Sequence, residues 1–76
     1  MMRFARVTPT MLESECRRYQ ISRTPYAVGG THIYRLWLRE NSEVLLALTV
    51  MDTEDDRRAA VERCKLAAVE HAETLA

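Results

Sequence analysis

Cysteine, glycine, proline and tryptophan are scarce in this chain of 76 residues, which holds two, two, two and one of them. Each shortage closes off a class of function. Small secreted domains staple themselves with four or more cysteines. Cys16 and Cys64, far apart and each in a helix-like stretch, read instead as buried thiols of a reducing cytoplasm. Gly29 and Gly30 lie between strand-like runs with no helix start behind them, which excludes a phosphate-cradling loop. With so few prolines and glycines there is no linker, and no repeat or low-complexity tract either, so residues 1–76 form a single domain. No apolar run approaches the roughly 18 residues of a membrane span. The longest runs from Val44 to Leu48. The opening MMRFARV has no apolar stretch behind its arginines, so no secretion signal and no membrane partner are expected. The expected location is the cytoplasm.

Charge of one sign is also missing: eleven cations meet eleven acids, for a net charge of zero. The distribution is uneven. Residues 1–39 hold seven arginines and two glutamates, a net of +5, and residues 40–76 hold four cations and nine acids, a net of −5. This allows a basic patch and an acidic patch on the folded surface. Neutralised phosphates supply most non-specific affinity for nucleic acid, and zero net charge argues against that partner. A chain this short buries about 60% of its unfolded surface, so its core is thin. A shallow partner-binding face suits it better than a deep catalytic cleft.

The segment TPTMLESECRRYQ carries helix-start signals. Thr8 can cap, Pro9 suits the first turn, and Thr10 with Glu13 has capping-box spacing. Leu12, Cys16 and Tyr19 follow at spacings of four and three, which predicts a helix over residues 9–19. The middle reads as strands. ISRTPYAV and THIYRLWL flank Gly29-Gly30, a tight-hairpin signal, because primed turns need positive φ. EVLLALTVM follows the polar turn ENS as a third strand. A last helix runs from Glu54 to about Leu75, with an apolar stripe of Val61, Cys64, Ala68, Ala72 and Leu75. At roughly 30 Å it matches a nine-residue strand and can lie along the sheet. The expected fold is α+β, of order α-β-β-β-α, with a three-stranded antiparallel sheet and both helices packed on one face.

Four acids, Asp52, Glu54, Asp55 and Asp56, crowd the start of the last helix. Thr53 is a good N-cap, and unpaired backbone N–H groups in the first turn favour negative charge. Adjacent acids on one helical turn diverge, so they do not suggest a metal site. They can serve as an acidic contact surface for a partner. Cys16, Cys64, His32 and His71 lack zinc-ligand spacing. No cysteine or serine has a base and an orienter at recognisable spacing, so no enzyme, metal or cofactor is expected.

YRLWL, Tyr34 to Leu38, is the most informative stretch. A two-residue Gly29-Gly30 turn would pair Val28 with Thr31, Tyr26 with Ile33, Thr24 with Arg35 and Ser22 with Trp37. Ile21, Tyr34, Leu36 and Leu38 then form the core face. Tyr26, Ile33, Arg35, Trp37 and Arg39 fall on the other. A tryptophan between arginines is a common interface anchor, although size alone also suits Trp37 to the core. A tight turn at Asn41-Ser42 would put Leu46 and Leu48 on the Trp37 face, whereas a bulge or odd-length loop would return them to Leu36 and Leu38.

Over Pro9 to Leu75 the α-β-β-β-α order resembles a double-stranded-RNA-binding domain. PTMLESECRR is similar to that family's first helix, TPY to the approach to its first strand, and GGTH to its hairpin with an RNA-contacting histidine. The lysine cluster that opens the family's second helix is replaced here by Glu54-Asp55-Asp56. The resemblance implies nucleic-acid binding through Arg17, Arg18, Arg35, Arg39 and His32. The short, Arg/Ala-rich chain with its closing DTEDDRRAA also resembles small accessory proteins of phages and prophages, some of which inhibit host defence, anti-CRISPR proteins among them. That resemblance implies a non-enzymatic module that occludes a protein partner. The expected contact residues are Trp37, Arg35, Arg39 and Tyr26 on the sheet, and Asp55 and Asp56 at the helix start. Homodimerisation through a sheet edge or face is the further alternative.

Overall fold

The computed structural model describes residues 2–25 and 29–75. Five strands follow one another, β1 (Phe4–Thr8), β2 (Met11–Ser14), β3 (Tyr19–Pro25), β4 (Thr31–Leu38) and β5 (Glu43–Met51), and one helix, α1 (Glu54–Thr74), closes the chain. Each strand pairs antiparallel with the next, giving one sheet in the order β1-β2-β3-β4-β5. The three-stranded sheet with two helices is therefore corrected to a five-stranded meander with one helix.

The expected first helix is a strand and two turns. Thr8 and Met11 pair across Pro9-Thr10, so the proline serves a hairpin turn instead of a helix start. Arg6 Nη1–H donates to the Pro9 carbonyl at 2.8 Å. Glu13, the would-be capping-box acid, accepts from Gln20 Nε2 across the β2–β3 pair at 3.1 Å. The β2–β3 turn closes by Arg17 N–H to the Ser14 carbonyl at 2.9 Å, with Arg17 at φ 60. Ser14 Oγ also accepts from the Tyr19 N–H at 3.0 Å. An isolated helix of eleven residues is marginal in water, and a stripe of three apolar residues gives it little to bury. Strand pairing on both sides of β2 wins. The helix-first order that carried the resemblance to double-stranded-RNA-binding domains is not the order of this chain.

The β3–β4 register is displaced by two residues from the expected one, with Pro25 opposite His32 and Ser22 opposite Arg35. Gly29 and Gly30 do adopt positive φ, 78 and 63. An even displacement keeps every side chain on its face. The core face is accordingly as expected, with Ile21, Tyr34 and Leu36 buried and Leu38 half-buried. In β5 a bulge at Leu45 sets the phase: Trp37 pairs with Val44, but Leu36 pairs with Leu46. Leu46, Leu48 and Val50 thereby join the core.

The helix brings small residues to large ones. Ala60, Cys64 and Ala68, one turn apart, are buried against Tyr19, Ile21, Tyr34 and Leu36 of the sheet. Leu75, expected in this stripe, is instead the C-cap and is 60% exposed. Thr53 caps as expected, its Oγ1 accepting from the Asp56 N–H at 3.1 Å. The helix packs on β3, β4 and β5 and leaves most of β1 and β2 without a covering layer. No helix is long and apolar enough to cross a membrane among the described residues.

Candidate functional site

Two surfaces come out of this architecture, one on each side of the sheet. The helix-free face carries Ile33, Arg35 and Trp37 of β4, all half-buried. Gln20 and Val44 flank Trp37 across the sheet, and Ser22 and Ala47 flank Arg35. The indole Nε1–H of Trp37 donates to Ser22 Oγ at 2.8 Å. Arg35 Nη1–H donates to Thr24 Oγ1 at 3.3 Å. Both side chains are thus tied to β3 at their polar ends, on the side of the sheet away from α1. Val44 (42% exposed) and Met51 (56%) extend the apolar area along β5.

The other expected contact residues lie elsewhere. Arg39 is exposed in the β4–β5 turn, beyond the strand. Tyr26 lies outside the described residues. Asp55 and Asp56 are exposed on the first turn of α1, across the sheet from Trp37. Trp37 and Arg35 therefore share a surface that the two aspartates do not.

The four zinc candidates are scattered. Cys16 is exposed in the β2–β3 turn and Cys64 is fully buried in α1, so only one of the two is a core thiol. A hydrogen bond with the Ser14 hydroxyl, 3.4 Å from Sγ, lowers the Cys16 pKa, and backbone N–H contacts add to it. Burial pushes the Cys64 thiol up to about 11. His71 is half-buried: its Nδ1 is hydrogen-bonded to the Tyr19 hydroxyl at 2.8 Å, and the rings meet edge to face at 5.6 Å. His32 is buried, with Nε2 2.9 Å from Asp52 Oδ1. Arg57 Nη1 lies 3.6 Å from the same oxygen. Among the described residues, His32 Nδ1 has no hydrogen-bond partner. No group of three or more His, Cys, Asp or Glu side chains could hold a metal ion among the described residues.

The second surface is a groove of about 500 Å³ between the β1–β2 hairpin and the first half of α1. Arg6 and Arg23 line it from the sheet, and Arg57 and Arg58 from the helix. Leu12, Ile21 and Val61 supply apolar wall, and Tyr34 forms part of the floor. Burial raises the Tyr34 pKa, while the charges of Arg23 and Arg57 act against that rise. Glu54 and Glu62 also border the groove, each already held by a cation: Arg58 Nη2 at 2.9 Å and Lys65 Nζ at 3.7 Å.

Sequence reasoning missed this groove. Its signal was a break in alternation, with Arg23 following Tyr19 and Ile21 on the inward side of one strand and Arg6 following Phe4 on another. That signal is readable only once residues 4–25 are known to be strands. Comparison of the chain with protein-family models, with curated proteins and with solved structures finds no match.

Proposed function

We propose that this protein is a non-enzymatic protein-binding module whose contact surface is the helix-free face of its sheet. The observation that supports this reading is the presence of Trp37 and Arg35 together on the helix-free sheet face, each anchored to β3 by its polar end. Tryptophan and arginine dominate interface hot spots. A side chain whose rotamer is already fixed loses less entropy when a partner arrives. Val44, directly opposite Trp37 and 42% exposed, gives the anchor an apolar neighbour. Such a module acts by occupying its partner's surface, as the inhibitors among small phage accessory proteins do. The exposed acids Asp55 and Asp56 lie on the other side and are not required.

The test is partner capture from the source cell by immobilised protein, followed by a titration of the identified partner. Trp37→Ala is expected to weaken binding about 30-fold, the effect of losing roughly 2 kcal/mol at a hot spot. Arg35→Ala is expected to weaken it too, and the double change at Asp55 and Asp56 to leave it unaltered. Equal capture by wild type and both sheet variants would sink the reading. Light scattering during the same work distinguishes a second copy from a foreign partner: a dimer that dissociates with Trp37→Ala would make the partner this chain itself.

A further inference from the structure

The face of the sheet that meets α1 is mostly apolar, and Arg6 and Arg23 are two cations standing on it. Alternation puts Arg23 inward with Tyr19 and Ile21, and directly opposite Tyr34. The helix-side cations of the groove have carboxylate partners, Arg57 with Asp52 and Arg58 with Glu54. The sheet-side ones do not. Arg6 gives one N–H to the Pro9 carbonyl. Arg23 is half-buried, and its guanidinium makes no hydrogen bond or ion pair with any described residue. Tyr34 is 5% exposed, and its hydroxyl likewise has no hydrogen-bond partner among the described residues.

The Tyr34 side chain is buried, but its hydroxyl is not a buried unsatisfied atom: it opens on the groove. A guanidinium carries five N–H donors and no acceptor. The groove therefore collects donors on its sheet side, where no carboxylate among the described residues pairs with them. Leu12, Ile21 and Val61 continue the same groove as apolar wall. A volume of about 500 Å³ is in the range of small-molecule sites. Glu54 and Glu62 lie along the helix and disfavour negative charge there. That leaves the sheet side for an anionic head.

We propose that this groove binds a small organic anion, its carboxylate or phosphate held by Arg23, Arg6 and the Tyr34 hydroxyl and its apolar body lying on Leu12, Ile21 and Val61. The site is on the opposite side of the sheet from Trp37 and does not depend on the protein-binding reading.

The test is an NMR titration of the full chain at low salt with phenyl phosphate and phenylacetate, against inorganic phosphate and benzyl alcohol. The expected result is saturable shifts at Arg23, Tyr34 and Leu12. Phenyl phosphate should bind more tightly than either inorganic phosphate or benzyl alcohol, because head and body both contribute. Arg23→Gln should weaken it about tenfold or more, the usual effect of losing a charged hydrogen bond. Arg23→Lys, which keeps the charge but not the fork, should fall between, and it serves if the glutamine variant does not fold. Arg35→Gln, on the other face, should leave binding unchanged. Absence of saturable shifts at millimolar ligand overturns the proposal, as does unchanged binding by both Arg23 variants. Equal affinity for inorganic and phenyl phosphate would leave only a bare anion site and overturn the organic ligand. An acidic peptide that binds where phenyl phosphate does not would replace the small molecule with a protein segment.

Discussion

Removing one oxygen from each of two buried tyrosines should change stability unequally. Tyr19 is fully buried, and its hydroxyl bonds His71 Nδ1 at 2.8 Å. Tyr19→Phe deletes that bond and leaves the histidine nitrogen to half-exposed surroundings where water can reach it. The net loss should be about 1 kcal/mol, the typical worth of one intramolecular hydrogen bond. A chain of 76 residues has about 4–11 kcal/mol in all, so the midpoint of thermal unfolding should fall by about 4–8 °C. Tyr34 is nearly as buried, yet its hydroxyl has no partner among the described residues. A dry unsatisfied hydroxyl would cost about 1–3 kcal/mol. Tyr34 borders an open groove, which reduces that figure, so Tyr34→Phe should lie between neutral and about 1 kcal/mol more stable. The assay is urea unfolding followed by Trp37 emission, with midpoints compared at equal slope. If Tyr34→Phe loses as much as Tyr19→Phe, the Tyr34 hydroxyl is bonded in the folded protein, and the groove has one free donor fewer.

Four further expectations follow from the packing. Thr53→Ala should cost about 1 kcal/mol by urea midpoint, since Thr53 caps Asp56 and the neighbouring Asp52 is already engaged by His32; an unchanged midpoint would mean another group takes over the cap. Native protein should expose one thiol, that of Cys16, to a disulfide reagent at neutral pH, and Cys64 should react only on unfolding. The Cys64 thiol, raised from 9.0 to about 11 by burial, keeps its proton in the folded chain where the unfolded chain has lost it. The unfolded state then binds fewer protons between those values, so stability should fall as pH rises through that window. Cys64→Ala should flatten the fall, and an unchanged slope would assign it to another group. Deleting Leu45 removes the bulge and leaves Leu46, Leu48 and Val50 opposite Leu36, Tyr34 and His32; it should cost only half a leucine's burial, about 1–2 kcal/mol. Inserting an alanine between Leu46 and Ala47 would push Leu48 and Val50 to the open face and should cost far more by the same midpoint measurement. The reverse order would contradict the register.

The second half of the chain was legible because its signals are local. Alternation over Thr31–Leu38 and Glu43–Met51 and the Thr53 cap mark β4, β5 and the start of α1 where they are found. The β3–β4 register was read two residues off, and the error did not matter for the core, since an even slip leaves faces intact. Residues 9–19 were misread as a helix for a physical reason. The turn between β2 and β3 uses positive φ at Arg17, where glycine or asparagine would ordinarily advertise it. Its hydrogen bonds come from Ser14, a residue with no turn signature of its own at that distance. With the turn hidden, Leu12, Cys16 and Tyr19 at spacings of four and three were read as a helix stripe. In fact Cys16 lies exposed at the turn, and only Tyr19 of the three is fully buried.

The groove follows from a mismatch of widths that no single residue records. Strands lie about 4.8 Å apart, so five of them span about 19 Å. One helix with its side chains is about 10–12 Å across. A single helix therefore covers about three strands, and here it sits on β3, β4 and β5. The inward side of β1, and the end of β3 nearest the β1–β2 turn, are left beside open space. That is why two arginines are tolerated on the core parity at Arg6 and Arg23, positions a wider helical layer would have buried. Had the sequence folded as two helices over three strands, the same residues would have met solvent or a helix, and their charge would have carried no meaning. Their meaning comes from the uncovered strands, and those are set by counting strands against one helix.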